Sequence, residues 1–284
     1  MAQLRFPLPF PSRYPREGQP HQRRIRILPL LIFGLILGFY FLVNRSTVPV
    51  TGRTQLIDMS PETEIALGLQ SYRQVLAQSD VVAEGKEVQL VNDVTARLVP
   101  AVREAQYAWE VHLIRSDEAN AFALPGGKIA VFSGLLPIVQ NEDGLACVLG
   151  HEISHVVARH GAERMAHQRL AQFAGMAVSM SVSDMDPQTR QIVYGAFGLG
   201  SQFGVLLPFS RKHESEADYL GLIYMARACF DPHEAPLVWE RMAQHSHGRA
   251  PLEYLSTHPS PETRIEQFRE WMPEAEKVYR ENCR

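Results

Sequence analysis

The chain has 284 residues, 45% of them hydrophobic, with 28 Lys and Arg against 31 Asp and Glu and a formal net charge of −3. Three cysteines are too few for a disulfide scaffold. Residues 1–26 hold six Arg against one Glu, so the remainder is acidic, which argues against nucleic-acid binding; no phosphate-cradling Gly-rich loop or dinucleotide fingerprint occurs.

Residues 1–26 are basic and Pro-rich and read as a disordered cytoplasmic tail. Residues 27–44 carry no charge and reach the short end of the roughly 20 apolar residues a membrane span needs. The preceding arginines should stay in the cytoplasm, which puts the body of the chain outside. No A-x-A cleavage site follows, so the segment reads as an uncleaved transmembrane signal anchor, with a cleaved signal peptide as the alternative. Residues 45–59 read as a linker and 60–284 as one domain.

Ser60-Pro61-Glu62-Thr63 is a helix start with Pro in the first turn, and Ile65, Leu69, Tyr72 and Leu76 continue it at helical spacing. A second amphipathic helix is expected over 85–102. Trp109 to Ile114 alternates as a half-buried strand, and Lys128 to Phe132 is another, with Pro125-Gly126-Gly127 as a turn before it. Asn120, Ala121, Phe122 and Ala123 lie between them. A strand edge there could take an extended polypeptide by main-chain pairing.

Asn141, Glu142 and Asp143 open the next helix, and Leu145, Val148, Leu149, Val156 and Val157 give it an apolar face. Gly161 reads as its stop. Within it, His151 and His155 are i and i+4, so both imidazoles share one face and can hold a zinc ion. Glu152 sits where a general base would reach metal-bound water. Such a site uses three protein ligands, and Glu214 is the candidate third. Asp218, one turn on, would accept the free N–H of a ligand histidine. Glu216 falls off that face and reads as solvent-facing. Residues 191–210 are uncharged and by length could span a membrane, but their four Gly and two Gln argue instead for a buried or partly mobile helix over the site, with 170–182 joining it as an apolar lid or membrane-facing surface. Ser260-Pro261-Glu262-Thr263 signals a last helix. Cys229 and Cys283 could pair in an oxidising compartment.

The His151–His155 motif, the Glu214…Asp218 pair, Asn120-Ala121-Phe122-Ala123-Leu124-Pro125-Gly126-Gly127 and Thr257-His258-Pro259-Ser260-Pro261-Glu262-Thr263-Arg264 occur in that family's order: over roughly residues 52–272 the chain resembles the membrane-linked zinc metallopeptidases that include the CAAX prenyl protease, HtpX and the periplasmic quality-control proteases BepA and LoiP. The last block points to the periplasmic branch. The resemblance implies an α+β, mainly α-helical fold, with a gluzincin-like core and a small β-sheet after one transmembrane helix. It also makes His258 noteworthy, either as a resting-state zinc ligand or as an oxyanion donor, with Arg264 as a second oxyanion candidate.

The expected activity is zinc-dependent endopeptidase hydrolysis of misfolded or envelope proteins, with one Zn2+ per chain and Glu152 activating water. The expected setting is the bacterial inner membrane, with a single pass, the catalytic domain in the periplasm, polypeptide substrates, envelope protein partners and no nucleic acid. The alternative is a catalytically weak chaperone or scaffold of the envelope that keeps the zinc fold.

Overall fold

The computed structural model describes residues 25–103, 107–202, 206–246 and 261–283. The fold is mainly helical with a small sheet, as expected from the sequence. Helix α1 (Ile27–Asn44) matches the uncharged stretch, is apolar enough to cross a membrane, and has no buried residue. The basic tail, up to residue 24, lies outside the described residues.

Residues 45–59, expected as a linker, instead form a hairpin of β1 (Arg45–Thr47) and β2 (Thr54–Leu56). Val48, Leu56 and Ile57 are buried, so this stretch is part of the packed body. Helix α2 (Pro61–Ala77) begins as its start signal implies, with the Ser60 hydroxyl accepting from Thr63 N–H. Strand β3 (Val81–Val82) and helix α3 (Lys86–Leu98) follow. Next come β4 (Glu110–Ile114), β5 (Ala121–Leu124) and β6 (Lys128–Phe132).

These strands make a four-stranded sheet in the order β3-β4-β6-β5. β4 and β6 run parallel, and β5 pairs antiparallel with β6 as one edge. Ile129, Ala130 and Val131 of β6 are fully buried, which fits a central strand.

After the short α4 (Leu136–Val139), helix α5 (Glu142–Val157) runs through the core, with Asn141 accepting from Gly144 N–H as its cap. Leu145, Ala146, Val148, Leu149 and Ile153 are essentially inaccessible. The helix stops before Gly161: Arg159 takes a left-handed conformation (φ 57°) and α6 (His160–Ser181) starts directly after it. The Arg159 side chain ties this turn to the start of α2. It donates to Glu64 at 2.7 Å and to the Met59 carbonyl at 2.9 Å.

Helix α7 (Pro187–Ser201) contains no buried residue, which corrects the expectation of a buried helix over the site. Ile192 and Leu199 are 65% and 62% exposed. Helices α8 (Leu207–Arg227), α9 (Glu234–Ser246) and α10 (Pro261–Asn282) complete the chain. A disulfide joins Cys229 after α8 to Cys283 after α10.

Candidate active site

The site exists because α5 and α8 cross at close range. A Cβ on Gly221 would lie 2.7 Å from the backbone N of His151, and one on Gly150 would lie 2.9 Å from the Gly221 carbonyl. Backbone therefore rests on backbone at the crossing. One helix carries His151 and His155 and the other carries Glu214 and Asp218, so glycine at both positions lets the two sets of side chains meet.

They meet as a triangle. His151 Nε2 and His155 Nε2 are 3.0 Å apart, and Glu214 oxygens lie 3.4 Å from the first and 3.5 Å from the second. One donor atom from each residue falls within 4.8 Å of the others. Ligands about 2.0–2.1 Å from a tetrahedral ion are separated by about 3.3 Å, and the three distances, of which the two to Glu214 end on different carboxylate oxygens, are of that size. Two neutral imidazoles and a carboxylate are also the donor chemistry a divalent transition metal takes. Glu152, next to His151 and buried, lines the cleft beside this triangle.

Each imidazole is held from behind. His151 Nδ1 donates to Asp218 Oδ1 at 2.8 Å, which leaves the Nε2 lone pair facing the triangle. Arg264 Nε donates to Asp218 Oδ2 at 2.6 Å, a second guanidinium nitrogen reaches Oδ1, and Nη1 lies 3.4 Å from Glu214. The guanidinium stacks 3.4 Å over the Trp239 ring. This corrects the oxyanion reading of Arg264. The side chain is 3% exposed, lies behind His151, and is absent from the residues that line the cleft. Its cationic head is taken up by the two acidic residues. His258 lies outside the described residues.

His155 is backed by residues that sequence reasoning missed. Its Nδ1 lies 2.9 Å from His160 Nδ1, and His160 Nε2 lies 3.0 Å from Glu216 Oε2. Burial pushes His160 down to about 4, so it is neutral at pH 7. With Glu216 anionic, His160 Nε2 carries the proton and donates to it. His160 Nδ1 then accepts from His155, whose Nε2 lone pair faces the triangle.

Glu216 is thus 8% exposed and does not face solvent as expected. Burial opposes its charge, but hydrogen bonds from His160, Thr51 and Arg53 hold it at about 2. Arg53, in the β1–β2 turn, donates to Glu216 at 2.8 Å and forks onto both oxygens of Glu163 at 2.9 and 2.7 Å. His213 contacts Glu163 at 2.8 Å and stacks on His160 with centroids 4.3 Å apart. A usable signal was the third histidine, His160, five residues after His155, with Glu163 one turn on. Arg53 carried no such signal.

The triangle opens into a cleft of about 260 Å³ lined by Glu152, His155, Glu214, Glu64, Ala123 and Leu124, among others. Among the four residues expected to meet substrate, Ala123 lines this cleft. Ala121 is buried, and Phe122 packs against Phe132 on the other side of the sheet. Asn120 caps the strand start, its Oδ1 accepting from Ala121 N–H at 2.9 Å. Phe132 N–H donates to the Asn120 carbonyl, so by alternation the main-chain groups of Ala121 and Ala123 point away from β6. Among the described residues no strand pairs with that edge.

The sequence model of peptidase family M48 matches residues 86–272. The chain belongs to this family. Mitochondrial metalloendopeptidase OMA1 of Schizosaccharomyces pombe is 39% identical over 269 residues, covering 92% of this chain and 77% of the relative. The human mitochondrial metalloendopeptidase OMA1 is 31% identical, covering 90% of this chain and 51% of its own length. The beta-barrel assembly-enhancing protease of Escherichia coli is 30% identical, covering 86% and 51%. The chain thus spans about half the length of the last two. It is a metalloendopeptidase, and the resemblance holds at the level of the family; its relatives include mitochondrial proteins as well as the barrel-assembly protease.

Proposed function

We propose that this metalloendopeptidase uses zinc, held by His151, His155 and Glu214, to hydrolyse extended or unfolded polypeptides. The observation that carries the reading is the triangle of donors, each histidine fixed from behind, opening beside Glu152 onto the free edge of β5. When bound, zinc supplies an acidified water and polarises the scissile carbonyl. Glu152 is placed to take the water's proton and return it to the leaving amine. Asp218 and His160 hold the ligand rings, and Arg264 holds Asp218 in place through two guanidinium nitrogens. Ala123, with the carbonyl of Ala121, aligns a substrate strand by main-chain hydrogen bonds, which tolerate varied side chains and suit misfolded or envelope proteins.

The setting we infer is a bacterial inner membrane, crossed by α1, with the catalytic domain on the periplasmic side. The arginines before α1 favour that orientation, and the Cys229–Cys283 disulfide suits an oxidising compartment. The barrel-assembly relatives are in keeping with envelope substrates and partners. Purified full-length protein should degrade an unfolded model protein, lose that activity to a chelator and regain it with zinc. Proteolysis that is indifferent to the chelator would overturn the reading.

A further inference from the structure

The distal half of α6 and all of α7 take no part in the site, yet they present much of the exposed apolar surface outside α1. Phe173, Met176 and Met180 of α6 are 49%, 54% and 61% exposed.

α6 runs antiparallel along α1 and is pinned to it at both ends. At one end, Arg26 N–H donates to the Ser181 carbonyl at 2.9 Å, and its guanidinium pairs with Asp184 at 2.6 Å. At the other, Tyr40 of α1 and Arg169 of α6 both bond Asp58, with Arg169 Nε at 2.7 Å. Between these points neither 27–39 nor 170–183 contains a charged residue. The helices enclose an apolar groove of about 530 Å³, lined by Leu28, Ile32, Ile36, Leu170, Phe173 and Met180, among others.

The hairpin's charges are gathered at its tip. Asp184, Asp186 and Arg190 lie in or beside the turn, level with Arg26, and 191–201 of α7 is again uncharged. Several polar side chains on the two helices are paired internally: Ser179 Oγ and Tyr194 OH are 3.0 Å apart, and Ser181 donates to the Ala177 carbonyl.

A helix packed along another for about 20 Å, at 1.5 Å per residue, shares its solvent. If α1 lies in hydrocarbon, the facing stretch of α6 must be free of charge at the same depth and carry its charges at both ends, and it does. We propose that the distal half of α6 and α7 form a helical hairpin inserted in the same bilayer as α1. Its exposed face and groove are occupied by lipid acyl chains, and its tip lies at the membrane face where Arg26 lies. This rests on reading α1 as a membrane span. Its consequence concerns substrate. His160 is nine residues before Arg169, so the metal-binding triangle sits about 14 Å, at 1.5 Å per residue, beyond the charged belt at Asp58. The substrates would be polypeptide segments within that short distance of the membrane surface.

Single cysteines at three exposed positions test this in sealed vesicles holding the full chain, labelled with a membrane-impermeant maleimide: Ile25→Cys before α1, Ser183→Cys at the hairpin tip and Lys277→Cys on α10. Native Cys147 is buried and the other two are bonded to each other, so they do not compete. The expected result is labelling of Ile25→Cys and Ser183→Cys from one side and of Lys277→Cys from the other. Ser183→Cys labelled on the Lys277 side, with Ile25→Cys still on the far side, would overturn the hairpin, spare the α1 anchor, and leave the apolar face to a protein partner. All three labelled from one side would overturn the anchor and the hairpin with it.

Discussion

The Nδ1 atoms of His155 and His160 lie 2.9 Å apart, and with Glu216 behind His160 this contact sets which nitrogen His155 offers to a cation. Replacing His160 by Ala frees that ring to rotate. Metal affinity, measured by competition with a coloured chelator, should fall about 10- to 100-fold while the protein stays folded. An unchanged affinity would leave His160 with a packing role alone.

Arg53 connects the turn that follows α1 to the same network through Glu216 and Glu163. Glu163 is 1% exposed; burial would raise its carboxyl, but the nearby His167 imidazole and hydrogen bonds from His213 and Arg53 outweigh burial and hold it well below the usual range. Its folded-state value is depressed, so its contribution to stability is present above about 4.5, the ordinary value, and is lost as pH falls below that. Denaturant midpoints should therefore drop between pH 5 and pH 3, and Glu163→Gln should be less stable at pH 7 with a flatter pH dependence. Equal slopes for the two proteins would contradict this.

Gly221 and Gly150 let α5 and α8 touch. A Gly221→Ala methyl meets backbone, which cannot turn aside, so the helices must separate. A loss of about 1–3 kcal/mol in unfolding free energy is expected, together with weaker metal binding. Calorimetry with metal titration reads both, and wild-type values would show that the crossing has slack.

Much of this was legible locally. The paired histidines, Ser60-Pro61 and Asn141 act through contacts within one or two helical turns, so their spacing alone places them. The uncharged 27–44 stretch works the same way. What escaped was set by distant partners. Glu216 points along the helix toward what looked like solvent until Arg53, 163 residues earlier, folds over it. Arg264 was read by its charge, and only the position of Trp239 and Asp218 shows that the charge is spent behind His151. The 45–59 hairpin lacks a strong strand signal and is held by burial of Val48 and Leu56.

The open edge of β5 carries its own test. Ala123→Pro removes an N–H that faces away from β6, so the sheet's own ladder is kept. For an unfolded protein substrate, kcat/KM should fall about 2- to 10-fold, as loss of one hydrogen bond implies, with metal content unchanged. Unaltered kinetics would move the substrate off this edge.

Glu152 decides the central claim. Glu152→Gln keeps the size of the side chain but cannot take a proton, and it leaves His151, His155 and Glu214 untouched. Measured on one unfolded substrate beside a parallel zinc assay, the variant should retain wild-type zinc and lose at least about 100-fold in kcat, the scale of a general base. Full zinc content with wild-type turnover would contradict the mechanism.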